Sequence, residues 1–294
     1  MNNPKKQHFV PEMLSKRFAR PDGKFFFHDR RREDNFIRPT TPANIMHQRY
    51  LYSPTDEKGV RDFSLEHRYN RIETAADQLF DRIEQLLDQK IDPVIRGTNR
   101  ELLDLFIYEQ WRRVPDMHER VLTHEGFRSR VETAVAEYEQ KYGPLPDGRK
   151  MELIESLDRR EVLKQIPGRS LKKSSGAVLH AFQDKTPVIV EAPSPAEFIV
   201  GSYNVVKTSN QTADIRDSSI EVWMAFTPRY AIVLQGRKDA LPHVVAAADH
   251  IEVINSAVSA KSSIIASKNS ELIVKLRPGS MLLPAKAQDD ADHL

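Results

Sequence analysis

Six side chains in this sequence have types and spacing that suit chemistry: His8 in QHFVPEML, Glu66 and Glu73 in LEHRYNRIE, Gln110 and Arg113 in EQWRRVP, and His118 in RVPDMH. A histidine titrates near neutrality and can take a proton from a hydroxyl or give one to a leaving oxygen, while an arginine grips phosphate or carboxylate bidentately. Arg113 and His118 together therefore fit metal-free cleavage of a phosphodiester. Glu66 and Glu73 stand two helical turns apart, which puts both carboxylates on one helix face about 10 Å apart along the axis. That is too far for joint ligation of one metal ion, so each needs partners from other elements. His8, Gln110 and Arg113 supply such partners if three helices meet there, and a carboxylate facing Arg113 stays ionised. The competing reading of the cluster is a buried ion-pair network that fixes helix register.

The elements that must carry these residues follow from periodicity. Met13, Leu14 and Phe18 lie at helical spacing after Pro11, a proline suited to a first helical turn, and Pro21-Asp22-Gly23 ends that helix. KFFFHD and NFIRP read as a β-hairpin with the charged tip DRRRED. From Phe63 to Ile91, apolar residues recur every three or four positions, and Asn99 to Val114 carries a second wide apolar face that Pro115 ends. MELIESLDRREVLKQI and SLKKSSGAVLHAF suggest two shorter helices. After Phe182 the segments TPVIVEA, EFIVGSYNVVKT, SIEVWMAFTP and RYAIVLQG are rich in β-branched and aromatic residues and read as an antiparallel sheet. Val245, Ala248, Ile251, Ile254, Val258 and Ile265 form the inward stripe of one covering helix over 241–267, and ELIVKL is expected as a last strand. The fold class expected is α+β: a helical N-terminal half with two long amphipathic helices and a small hairpin, and a C-terminal antiparallel sheet covered by one helix. We expect one domain over 1–294, helical to about 182, sheet over about 183–280, with a disordered tail over 281–294.

Composition narrows the functions. Forty-four basic and forty-two acidic side chains give a net charge of +2, so nucleic-acid binding must rest on a local patch. The basic runs KRFARPDGK, DRRRED, Arg112 with Arg113, and SLKKSSG, with Phe25 to Phe27 nearby, are the candidates for contact with RNA or DNA, although interleaved acids and core-like phenylalanines compete with that reading. With no cysteine, thiolate nucleophiles, disulfides and Cys-type zinc sites are excluded. Ten histidines include no HxxxH, HExxH or HxH, and there is no phosphate loop, dinucleotide fingerprint or nucleophile elbow, so no metal or cofactor is identified. The stretch MNNPKKQHF lacks an apolar core of the length a signal peptide needs, no apolar run reaches membrane length, and a cytoplasmic location is the expectation.

Two resemblances enter here. An arginine followed by a nearby histidine resembles the signature of the HEPN ribonucleases, although Val114 stands where those enzymes place a polar residue, and Pro115 breaks the presenting helix. Over most of its length the chain resembles a bacterial family known as the domain of unknown function numbered 4238. The residues that carry this are His8, Val10, Pro11, Leu14 and Phe18, the DGKFFFHD strand, ANIMHQRYLY, Glu66 and Glu73, Gln110, Arg113 and Pro115, MAFTPRYAIVL, and Asn255 in EVINSAV. Where that family shows a Ser-Asp-x-Pro-like turn before the sheet, this chain has Ser202-Tyr203-Asn204. The resemblance implies architecture and no activity. Two functions follow as expectations: a bacterial or mobile-element nuclease of a defence or toxin system, with His8, Glu66, Glu73, Gln110, Arg113 and His118 as its site, or a non-catalytic binding or regulatory module meeting a protein partner.

Overall fold

The structure is a computed structural model that describes residues 5–56, 58–115, 124–146, 148–149, 171, 176–208 and 214–282. His118, the helix expected over 151–166 and the acidic tail lie outside the described residues. The chain opens with β1 (Lys6–His8) and α1 (Glu12–Lys16), then β2 (Phe25–Asp29) and β3 (Phe36–Thr40), a single 3-10 turn at Pro42–Asn44, and β4 (His47–Arg49). The long helices α2 (Ser64–Asp88) and α3 (Gly97–Arg112) follow, then α4 (His124–Tyr142) and α5 (Gly176–Gln183). The remainder is β5 (Thr186–Glu191), β6 (Val200–Gly201), β7 (Val205–Thr208), β8 (Glu221–Ala225), β9 (Tyr230–Gln235), β10 (His243–Val245), α6 (Ala248–Lys261), β11 (Ile264–Ser267), α7 (Ser270–Leu276) and β12 (Met281–Leu282). This is the α+β architecture expected, with the helices concentrated before residue 183. Among the described residues no helix is long and apolar enough to cross a membrane.

The expected sheet runs β10-β5-β9-β8-β7, antiparallel except where β10 joins β5 in parallel. The hairpin β2–β3 does not stand alone. It forms the centre of a second sheet, β12-β3-β2-β11-β6, in which residues 26–29 pair with 264–267. A two-stranded ribbon joins β1 to β4 and sets His8 opposite His47. The stripes on α2 and α3 meet each other and the first sheet through aromatic packing: Phe80 stands edge-on to Phe106 at 5.4 Å and stacks on Phe226 at 5.0 Å.

Five expectations need correction. EFIVGSYNVVKT is not one strand of the first sheet, because β6 pairs with β11 in the second sheet and only β7 stays in the first. The tail expected to be disordered from residue 281 begins with β12, where Met281 and Leu282 pair with Phe36 and Ile37. The helix expected over 241–267 is only α6. Val245 lies on β10 and is 61% exposed, and Ile265 is buried on β11, so two strand residues had fallen on the helical phase of the stripe. ELIVKL is helical, because the Asn269 side chain accepts from the Glu271 N–H at 2.9 Å and starts α7. Pro11 is the cap residue of α1 rather than part of its first turn, with φ −52° and ψ 138°.

Candidate functional site

Arg113 sits one residue beyond the last turn of α3, and its guanidinium is buried. Its Nη1 donates to Glu73 Oε1 on α2 at 2.7 Å, and Nε donates to the Phe9 carbonyl at 3.0 Å, just after β1. With the Gln110 amide oxygen turned inward it also accepts from Arg113 Nε at 3.0 Å. The guanidinium lies over the Tyr69 ring, 4.8 Å from its centroid, and the Tyr52 hydroxyl donates to the Arg113 carbonyl at 3.3 Å. Tyr52 and Tyr69 meet edge to face at 4.9 Å. One charge thereby ties the β1–α1 junction, α2 and α3 together, and its donors point at protein groups rather than at solvent.

In front of this buried pair lies a cavity of about 520 Å³, lined from β1 by Lys6 and His8, from α1 by Glu12 and Met13, and by Ala43 before β4. The α2 face that completes it carries Glu66, Asn70, Glu73, Thr74 and Asp77, a three-to-four-residue repeat in which Glu73 and Thr74 share one level. Glu66 is 8% exposed and makes no hydrogen bond or ion pair among the described residues. Burial, followed by repulsion from Glu73, raises its carboxyl to a pKa of about 7, against the opposing pull of Arg113. Glu73 is the carboxylate that faces Arg113, so the arginine's charge is committed there and Glu66 lacks that contact.

His8 is pushed the other way. Desolvation lowers its pKa first and the charge field of His47 and Arg113 lowers it further, while Glu12 and a hydrogen bond with the Ala43 backbone resist. The two imidazoles meet edge-on with centroids 5.3 Å apart, and His8 Nε2 is buried without a partner. The arrangement places a carboxyl that is half protonated near neutrality and a neutral imidazole in one cavity, and proton donation and acceptance by such a pair is general acid–base chemistry.

Of the residues singled out from sequence, His8, Glu66 and Glu73 line one cavity, and Gln110 and Arg113 stand behind it. His118 lies outside the described residues, so the Arg113–His118 pairing has no geometry here. The sequence reading missed several members of the network. Gln7, wholly buried, donates to Ser53 Oγ and accepts from the Tyr52 N–H, each at 2.6 Å. Glu109 receives Arg68 at 2.6 Å and the Tyr69 hydroxyl at 3.4 Å. The signal for these was burial at positions where apolar residues belong, which a single sequence does not display for a glutamate or a glutamine. Among the described residues no group of three or more histidines, aspartates or glutamates is placed to hold a metal ion.

Part of the basic surface in and before the hairpin is neutralised by neighbouring acids. Arg20 pairs with Asp22, Arg31 with Asp29, and Arg38 with Asp34. Phe25 and Phe27 are buried in the core, and Arg20 covers the ring of Phe26 at 4.7 Å, so these rings do not form an open stacking platform.

No curated protein and no solved structure matches the chain. A family model described as Protein of unknown function (DUF4238) matches residues 6–271. That span takes in the β1–α1 junction, both long helices, the first sheet and all of the second except β12, including every residue that encloses the buried arginine. The chain belongs to the DUF4238 family.

Proposed function

We propose that the cavity between the β1–β4 ribbon, α1 and α2 is a proton-transfer site for a small molecule, with Glu66 as the acid and His8 as the base. One observation carries this reading: Glu66 is more than nine-tenths buried, has no protein partner among the described residues, and faces an open cavity. A carboxyl kept for structure alone is normally hydrogen-bonded when buried. Arg113, Glu73 and Gln110 act in this reading as the frame that holds α2 against β1.

The nuclease reading receives less support. It asks for a cation that can reach a phosphate, and Arg113 is about 1% exposed with its donors engaged. Labelled RNA, single-stranded DNA and duplex DNA, incubated with the protein with and without Mg²⁺, should therefore remain intact; cleavage that Glu66→Gln abolishes would restore that reading with Glu66 and His8 as its acid–base pair. The reading of a binding or regulatory module is favoured by that same burial of Arg113, which suits a structural fastener. Carbon-13 NMR of the glutamate carboxyls, with the Glu66 signal assigned through Glu66→Gln, tests the proton-transfer reading. A Glu66 midpoint near pH 7 is expected, and a midpoint below pH 5 would remove the proton-transfer reading.

A further inference from the structure

The cavity has an uneven charge inventory. Glu12 pairs with Lys16 at 2.9 Å, Glu73 with Arg113 at 2.7 Å and Asp77 with Arg17 at 2.6 Å. Three of the four carboxylates in the lining thus pair with a cation, Asp77 sharing Arg17 with Asp81 and Glu84, and the fourth, Glu66, pairs with none among the described residues. Glu66 is also the most buried of the lining acids. A buried carboxylate without a partner is costly when ionised, and a ligand that brings one positive charge into contact with it removes that cost.

We propose that the cavity binds a small primary ammonium ion on a short alkyl chain, with the ammonium held by Glu66. The inference rests on the reading of Glu66 as a ligand-facing group, and for this ligand it replaces the role of acid: with the ammonium bound, Glu66 is the ionised acceptor. An ammonium offers three donors, and besides Glu66 the same face of α2 presents the oxygens of Asn70 and Thr74, while Met13 and Ala43 supply apolar surface for the alkyl chain. Lys6, in the lining on β1, repels a second positive charge and selects monocations over diamines. The other charged or titratable groups packed around the cavity are His8 and His47 on the ribbon, Glu12 on α1, Glu73 and Asp77 on α2, and Arg113 after α3. His8, held below its usual pKa mainly by desolvation, does not oppose a cation above neutral pH.

Binding of a cation to the ionised carboxylate is linked to proton release, so it strengthens as pH rises through about 7, the Glu66 midpoint. The probe is n-butylamine, followed through the Glu66 carboxyl signal in a pH titration. At roughly ten times the dissociation constant the midpoint should fall by about one unit, n-butanol and sodium chloride at matched ionic strength should leave it in place, and 1,4-diaminobutane should bind no more tightly than n-butylamine. In Glu66→Gln, amine binding read from ligand-observed NMR should be lost at pH 8 while the melting profile stays cooperative. A Glu66 midpoint near 7 that n-butylamine does not move would overturn the ammonium inference and leave proton transfer standing. A midpoint below 5 in the protein without amine would remove the reading beneath it. Tenfold tighter binding of the diamine would overturn the assignment of a single charge.

Discussion

Replacing Arg113 with methionine tests the physical account of the cluster most directly. The substitution keeps apolar bulk against Tyr69 and removes the charge. It leaves Glu73, whose side chain is 18% exposed, beside the already protonation-prone Glu66, and it takes the guanidinium donor from the Phe9 carbonyl. Removing one partner of a buried ion pair costs about 3–5 kcal/mol, and a desolvated cation–π contact adds up to about 2 kcal/mol. The water that reaches Glu73 and the carboxyl's ability to take up a proton relieve part of this, so the expected loss is about 4 kcal/mol at pH 8. In a chain of this size that lowers the melting temperature by about 8 °C or more. The assay is urea unfolding followed by circular dichroism at pH 5 and pH 8. If the cost is an uncompensated carboxylate, it shrinks at pH 5, and the double variant Arg113→Met with Glu73→Gln recovers more than half of it. A loss below about 1 kcal/mol, or a double variant no more stable than the single one, would refute the claim that Arg113 holds the three elements through its charge.

Three further outcomes follow. The raised Glu66 carboxyl binds a proton in the folded chain between its ordinary midpoint near 4.5 and about 7, so stability falls as pH rises across that window, by about 3 kcal/mol at most, and urea unfolding of Glu66→Gln should show a flatter profile with greater stability than wild type at pH 8. Arg100 binds the buried carboxyl of Asp104 at 2.8 Å and donates to the carbonyls of Phe182 and Lys185 at 2.8 and 2.6 Å; Arg100→Met should cost about 3 kcal/mol in the same assay and raise hydrogen exchange in α5 before any other helix. A Cβ on Gly201 would come within 2.3 Å of Ser262 Oγ and 2.6 Å of Val258 Cγ1, so Gly201→Ala should cost about 1–3 kcal/mol by thermal melt, and a neutral result would mean that β6 does not pack against α6 as described.

Much of the helical half was legible because α2 and α3 bury a face at a constant period, and their observed spans fall within a few residues of the apolar stripes. The hairpin β2–β3 was legible from its aromatic and β-branched residues on either side of a charged tip, but its partners were not: β11 and β12 lie at the far end of the chain, and nothing local marks a long-range pairing. β1 is three residues long, too short to announce a period, and its partner β4 is equally short. The failure at α7 is instructive, since the β-branched pair in ELIVKL argued for a strand while the cap at Asn269, which decides the matter, was visible in the sequence. For the cluster, residue types and motif order pointed to Glu66, Glu73, Gln110 and Arg113. Which carboxylate takes the arginine depends on where α3 ends relative to α2, and that registry is a property of packing. The singular position of Glu66 follows from it.

The second sheet has a consequence for how the chain can be assembled. The hairpin β2–β3 is made early, yet one flank of β2 finds its neighbour only when residues 264–267 arrive, and β3 gains β12 later still. Until then a strand of three consecutive phenylalanines presents an unsatisfied row of backbone donors and acceptors, the feature that templates misassociation between chains. The arginine–aspartate pairs on either side of its tip act during that interval as charged guards on an otherwise adhesive ribbon. A fragment cut after the helical half would keep that hazard permanently, so the terminal strands act as the closing seam of the molecule, and expression of such a fragment should yield aggregates where the full chain does not.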